Sequence, residues 1–227
     1  MLLEISSINI LEMLHQSQTK GIVLSLSLSL VFVSPLVTSA APPKANTTFT
    51  TFAEWCVNKA DLPVTTQRTV DAILGRVGTR DCNQADKKLS ALTKFDLTNT
   101  GISDLRPLSG QKNLTGLALA GNKISDLRPL SGLTKLRGIS LMGNQVSDLR
   151  PLSSLTNLTV LYLSWNKIRD VTPLSRLTNL TNLLLEGNQI RDARPLSELT
   201  KLISLNLRSN PLPNKTCPAR VQVSCSI

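Results

Sequence analysis

The sequence predicts an α/β solenoid, a stack of short parallel strands backed by short helical turns. Three observations lead there. Positions recur every 22 residues: Asn122, Asn144, Asn166, Asn188 and Asn210 are one interval apart, as are Asp104, Asp126, Asp148, Asp170 and Asp192, and Pro107, Pro129, Pro151, Pro173 and Pro195. A leucine-x-leucine pair with an apolar residue three positions before it recurs in each interval, the pattern of a short strand. Aromatics are only 3% of a chain that is 41% apolar, so leucine, isoleucine and valine must build a regular interior.

At the N-terminus, Lys20 precedes an apolar and serine stretch of 17 residues, Gly21 to Val37, followed by the small residues Thr38, Ser39 and Ala40. Residues 1–40 read as a secretory signal cleaved after Ala40. A start at Met13 would leave Lys20 in an ordinary basic leader. An uncleaved membrane anchor is the competing reading, since 17 residues is near the lower limit for spanning. Pro35 and the small residues suit a peptidase better, and no cysteine stands at the cleavage point to carry a lipid. Cleavage removes Glu4, Glu12 and Lys20, which moves the formal charge from +10 to +11, and it removes His15, the single histidine.

Residues 41–88 form the next unit. Phe52, Trp55, Val70, Ile73, Leu74 and Val77 recur at helical spacing, with Thr65 or Thr66 as the N-cap and Gly78 as the stop. Such a helix pair would cover the open end of the first repeat, with Trp55 in its core. Residues 89–212 then hold six units with the consensus LxxLxxLxLxxNxIxDLxPLSx. Asparagine ends each strand, because an amide can both donate to and accept from backbone groups at a buried bend, where an unpaired polar group costs about 1–3 kcal/mol. The aspartate is placed to accept from N–H groups that open a helical turn, and proline fits early in that turn. Thr100 replaces asparagine in the first unit, as terminal repeats allow. One unit cannot bury its apolar face alone, so only the stack folds.

Residues 213–227 close the chain. Four cysteines in an exported protein suggest two disulfides, with three pairings possible. Position favours Cys56 with Cys82 and Cys217 with Cys225, because each pair lies outside one end of the solenoid. A metal site lacks both histidine and paired CxxC spacing. No cofactor is expected.

The 22-residue pattern resembles the leucine-rich repeat family, and the DLxPL variant resembles the internalin class of bacterial surface proteins. The likeness covers about 120 residues. Residues TFAEWCVNKADLPVTTQRTVDAILGRVGTRDC resemble the helical caps of secreted bacterial leucine-rich repeat proteins. The resemblance implies a curved solenoid with a parallel concave sheet, short helical turns on the convex side, and protein recognition by the concave sheet without a reaction.

Alternation along each strand places four positions per unit on the sheet surface. In the fourth unit these are Val160, Tyr162, Ser164 and Trp165, so the single tyrosine and one of two tryptophans face outward. Met142, Val160, Tyr162, Trp165, Leu184, Glu186 and Arg208 are the candidate ligand-binding residues: an aromatic and aliphatic patch with a polar rim, to which Lys94 and Asp96 also belong. The small residues of the second and third units leave a shallow floor beside it.

A basic ladder, Arg106, Arg128, Arg150 and Arg194, lies on the convex turns with Thr172 interrupting it, and Arg169 and Arg191 add charge nearby. An aspartate two positions before each ladder arginine offsets much of this charge. Weak binding to an acidic polysaccharide or a membrane surface remains open, whereas nucleic acid does not suit an exported chain without interleaved aromatics. LPVTT at Leu62–Thr66 imitates a wall-sorting signal but lacks its glycine, and the sequons at Asn46, Asn113, Asn157, Asn179 and Asn214 matter only in a host that glycosylates. Catalysis is disfavoured: the mature chain has no histidine, and Asp96 and Glu186 stand four strands apart, about 19 Å, too far for a carboxylate pair. The resulting expectation is a secreted, periplasmic or cell-surface monomer that binds a protein or a glycan, touching a membrane only if the signal stays uncleaved. The alternative is an intracellular regulatory subunit of a phosphatase or another enzyme.

Overall fold

The computed structural model describes residues 49–213, 216–218 and 224–227. The expected signal segment, residues 1–40, lies outside them. Three helices come first: α1 (Phe52–Val57), α2 (Val64–Val77) and α3 (Cys82–Ser90). Seven three-residue strands follow: β1 (Lys94–Asp96), β2 (Gly116–Ala118), β3 (Gly138–Ser140), β4 (Val160–Tyr162), β5 (Asn182–Leu184), β6 (Ser204–Asn206) and β7 (Ser224–Ser226). They pair in sequence order into one parallel sheet. Equivalent residues face one another, with Phe95 opposite Leu117, Leu117 opposite Ile139 and Ile139 opposite Leu161. The chain is an α/β solenoid.

Short strands suffice because each unit buries a full ring of leucines. In the fourth unit Leu155, Leu158, Leu161, Leu163, Ile168, Val171 and Leu174 are all buried. The return turns between strands are 3-10 helices, such as Arg106–Leu108 and Arg128–Leu130, with proline at the first or second position. Three residues per turn fit the tight chord better than an α-helical turn would. Each aspartate stands just before its turn: Asp126 Oδ1 accepts from the Arg128 N–H at 2.9 Å, and Asp148 Oδ1 from the Arg150 N–H at 2.9 Å.

The asparagine column stitches neighbouring units together. Asn166 Nδ2 donates to the carbonyls of Leu141 and Leu163, while its Oδ1 accepts from the Val146 N–H at 2.9 Å. Asn122, Asn144, Asn188 and Asn210 repeat this arrangement one unit apart. Just beyond the column a second parallel ladder runs along the edge of the stack. There the N–H groups of Lys123, Gln145, Lys167 and Gln189 donate to Ile102, Ile124, Val146 and Ile168.

The N-terminal cap departs from its sequence reading in three ways. Helix α2 begins at Val64 with Pro63 as N-cap, and neither Thr65 nor Thr66 caps it. Thr66 is buried instead, and its hydroxyl donates to Asp104 Oδ2, while the Thr69 hydroxyl donates to the Asp104 carbonyl at 2.7 Å. These bonds fasten α2 to the first repeat, a tertiary demand that outweighs local capping. Two helices were expected and three form. The third, α3, buries only Ala85 and Leu89 and is capped by Asp81, which accepts from the Gln84 N–H at 2.8 Å. Because α3 runs through Leu89 and Ser90, the sheet-forming part of the first unit starts at Lys94. Trp55 is buried against Phe49, ring centroids 4.9 Å apart, with the Arg106 guanidinium 5.5 Å from its ring.

Disulfides Cys56–Cys82 and Cys217–Cys225 lie at the two ends, the first joining α1 to the start of α3. Strand β7 was not expected. It extends the sheet with Cys225 opposite Leu205, so the second disulfide holds a seventh strand over the last full repeat.

Candidate functional site

Four rows of residues cross the sheet surface. The first runs Lys94, Gly116, Gly138, Val160, Asn182 and Ser204, and the second Asp96, Ala118, Ser140, Tyr162, Leu184 and Asn206, as the strand register dictates. The third runs Thr98, Ala120, Met142, Ser164, Glu186 and Arg208. The carbonyls of this row accept the N–H groups of a fourth, in which Asn99 bonds to Ala120, Gly121 to Met142, Gly143 to Ser164, Trp165 to Glu186 and Gly187 to Arg208.

That fourth row has a special backbone. Asn99, Gly121, Gly143, Trp165, Gly187 and Ser209 all have positive φ, between 55° and 68°. The chain turns sharply here, just before the asparagine that closes the strand. Glycine adopts this conformation freely, asparagine tolerates it, and a bulky residue there is a strained outlier. Trp165, with φ 60°, is that outlier. It remains 56% exposed. Its ring lies over Gly187 of the next unit, where a β-carbon would come within 2.7 Å of Cδ2 and 2.8 Å of Cζ3.

The second aromatic stands beside a depression. Gly116, Ala118, Gly138 and Ser140 contribute almost no side chain, which leaves a hollow of about 360 Å³ on the face. Phe95, Leu117 and Ile139 back its floor, Val160 and Tyr162 form one wall, and Lys94 and Asp96 form the other. The Thr98 N–H donates to Asp96 Oδ1 at 2.7 Å and holds that carboxyl below the usual aspartate range, with the charge of Arg76 acting the same way. The rim is therefore anionic at Asp96 and cationic at Lys94.

The structure thus divides the candidate set. Val160 and Tyr162 line the hollow, whereas Met142, Trp165, Leu184, Glu186 and Arg208 share the face but lie outside it. Leu184 is opposite Tyr162, and Glu186 Oε2 accepts from Asn206 Nδ2 at 3.0 Å. Ser164, expected on the surface, is buried at 2% exposure. Its short side chain lies in a row between the longer Met142 and Glu186.

On the convex turns the arginine ladder is paired. Arg106, Arg128, Arg150 and Arg194 contact the aspartates two positions earlier at 2.7–2.8 Å. Side-chain and then backbone hydrogen bonds from Arg194 hold the Asp192 carboxyl down at about 2. Among the described residues no cluster of three or more histidine, cysteine, aspartate or glutamate side chains could hold a metal ion.

The pattern described as leucine-rich repeats (2 copies) matches residues 112–149 and 134–176. Residues 112–176 are thus leucine-rich repeats, and the units on either side keep the same 22-residue interval. No curated protein matches the sequence. Among solved structures, an internalin from Listeria monocytogenes is similar at 27% identity and TM-score 0.52, over 66% of this chain and 54% of that protein. A leucine-rich repeat protein from Leptospira interrogans is similar at 28% identity and TM-score 0.53, over 56% of this chain and 34% of that one. The chain thus spans about half or less of the length of these two similar proteins. Leucine-rich repeat proteins of this kind generally serve protein–protein interaction.

Sequence reasoning placed the aromatics on the face but missed the left-handed column. The signal was present, since glycine stands at three of its six positions. It also passed over the clefts along the second ladder, where the charged residues interrupt no leucine pattern.

Proposed function

We propose that the chain is an exported recognition module that binds a protein through its concave sheet, with Tyr162 and Trp165 as anchors and Met142, Val160, Leu184, Glu186 and Arg208 around them. The observation that carries this reading is Trp165: a large ring left 56% exposed, on a backbone that suits glycine. Strain of this kind persists where something compensates for it, and functional sites are where such residues cluster. The hollow beside Tyr162 adds a recess into which a partner's apolar side chain fits, between a hydrophobic wall and a charged rim. An enzymatic role finds no support on this face, whose carboxylates Asp96 and Glu186 are four strands apart, about 19 Å. Export is supported by the two disulfides, which persist in oxidising compartments.

The test replaces Tyr162 with serine and Trp165 with glycine, the residues at the same places in the preceding unit, Ser140 and Gly143. Relief of about 1–2 kcal/mol of left-handed strain at Trp165 offsets part of the packing lost over Gly187, so the melting temperature should change little. Proteins from the surface and medium of the source organism are passed over immobilised wild-type and doubly substituted chain. A partner held by the wild type should bind the variant more weakly by about 2 kcal/mol or more, as expected for anchor residues. An identical set of retained proteins with equal affinity would reject this face as the site.

A further inference from the structure

We propose that the edge formed by the second ladder, across the fourth to sixth units, is a separate binding site for the anionic groups of an acidic polysaccharide. The ladder aligns residues of successive units in rows. One row reads Lys123, Gln145, Lys167 and Gln189, and the next reads Ser103, Ser125, Ser147, Arg169 and Arg191. Serine thus gives way to arginine at the fourth unit, in the same unit where Thr172 replaces the ladder arginine of the convex turn.

This exchange changes the pairing. Arg106, Arg128, Arg150 and Arg194 each hold an aspartate, whereas among the described residues Lys167, Arg169 and Arg191 make no ion pair. Arg191 immediately precedes Asp192, yet both oxygens of that carboxylate are taken by Arg194 at 2.9 and 2.7 Å. Arg169 Nε donates to Gln189 Oε1 at 2.8 Å across the unit boundary, which fixes the guanidinium plane, and among the described residues its terminal nitrogens meet no acceptor. A guanidinium held in this way presents a fork suited to sulfate or carboxylate.

Two shallow clefts open along the edge. One, about 500 Å³, is lined by Arg169, Gln189, Arg191 and Pro211. The other, about 380 Å³, is lined by Ser147, Lys167, Arg169, Asp170 and Gln189. They share Arg169 and Gln189, so a single extended ligand can occupy both. Among the described residues Asp170 is the one carboxylate lining the clefts. Against it stand three cations, and the net field favours an anion. The amide of Gln189 and the hydroxyl of Ser147 are uncharged partners for sugar hydroxyls. Among the described residues the exposed large apolar side chains are Val57, Val64, Trp165 and Ile203, none of which lines either cleft. A lipid surface would need such residues to insert, so the chemistry fits a polar, chain-like polyanion.

The experiment measures binding of a heparin oligosaccharide, as the acidic glycan probe, to the full chain by calorimetry at low and physiological salt. Wild type should bind, and more weakly as salt rises. Arg169→Ser with Arg191→Ser, which restores the serine of the earlier units, should weaken binding roughly tenfold or more, as expected when two charge-assisted contacts are lost. Arg128→Ser with Arg150→Ser removes the same charge from paired positions and should leave affinity within about twofold of wild type. Tyr162→Ser with Trp165→Gly should leave it unchanged, which separates this site from the concave face. Thermal melts establish that each variant is folded. Equal loss in both arginine pairs, or no binding by wild type, overturns the proposal. So does capture of phosphatidylserine vesicles that depends on Arg169 and Arg191 in place of the oligosaccharide.

Discussion

Trp165 occupies a backbone position whose five counterparts are glycine, asparagine or serine, and its ring rests where Gly187 has no side chain. Its placement depends on two residues: its own left-handed φ and the missing β-carbon of Gly187. Gly187→Ala therefore moves the ring without altering it. The new β-carbon would overlap Trp165 Cε3 and lie 2.7 Å from Cδ2, and alanine at φ 65° adds about 1 kcal/mol of strain. The expected outcome is a shift in tryptophan emission, readable because the other tryptophan, Trp55, is buried at 4% exposure. Gly121→Ala is the control. It meets Asn99 at an equivalent turn, so it should cost similar stability and leave the emission of Trp165 unchanged. At this scale the sequence was informative in one respect and opaque in another. Strand spacing pointed Tyr162 and Trp165 outward, but the burial of Ser164 at 2% exposure, in a row whose members were expected at the surface, is encoded by no local pattern.

Each return turn joins an aspartate, a proline and, in four of five units, an arginine, and the aspartate both accepts the first N–H of the turn and grips the guanidinium. Hydrogen bonds from these arginines lower the carboxyls of Asp126, Asp148 and Asp192, the last from its ordinary 3.8 to about 2. The folded chain thus binds fewer protons than the unfolded chain between those values. Stability from this column is complete above the unfolded pKa near 3.8 and is lost as pH falls towards 2. Replacing Asp126, Asp148 and Asp192 together with asparagine keeps an oxygen for the turn N–H but removes the titration. Urea midpoints of wild type and variant should differ at neutral pH and converge as pH approaches 2; a gap that stays constant with pH would show that the pairs contribute nothing through their charge. The aspartate column was legible because its job repeats five times. Helix α3 was not, since Ala85 and Leu89 give only two buried positions, too few for a helical period, and α2 hid its start because Thr66 and Thr69 serve Asp104 rather than their own helix.

For the molecule as a whole, a stack in which each unit touches only its neighbours is open at two ends, and the cysteines stand at both. At the N-terminal end, α1 and α3 are tied by Cys56–Cys82 against the first repeat; the position of the two cysteines outside the repeats foretold the disulfide, and the apolar helical spacing foretold a helical cap but not α3. At the C-terminal end the sequence offers Cys225, Ser226 and Ile227 in place of leucine-x-leucine, which is why β7 escaped notice. Yet Cys225 takes the place of the inward leucine and is linked to Cys217. Without β7 the edge of β6 would present unpaired N–H and C=O groups, a template for another strand. Replacing Cys217 and Cys225 with serine should release β7 and cost about 2–3 kcal/mol by the loop-entropy argument. The loss should be local. The Leu207 N–H, which donates to the Ser226 carbonyl at 2.7 Å, should exchange with solvent faster, while amides of β2 to β4 keep their protection. Sedimentation at rising concentration should then reveal self-association through the bared edge of β6. Uniformly faster exchange along the whole array would instead mean that the last disulfide supports every unit, and that nearest-neighbour contacts alone do not explain how this solenoid holds together.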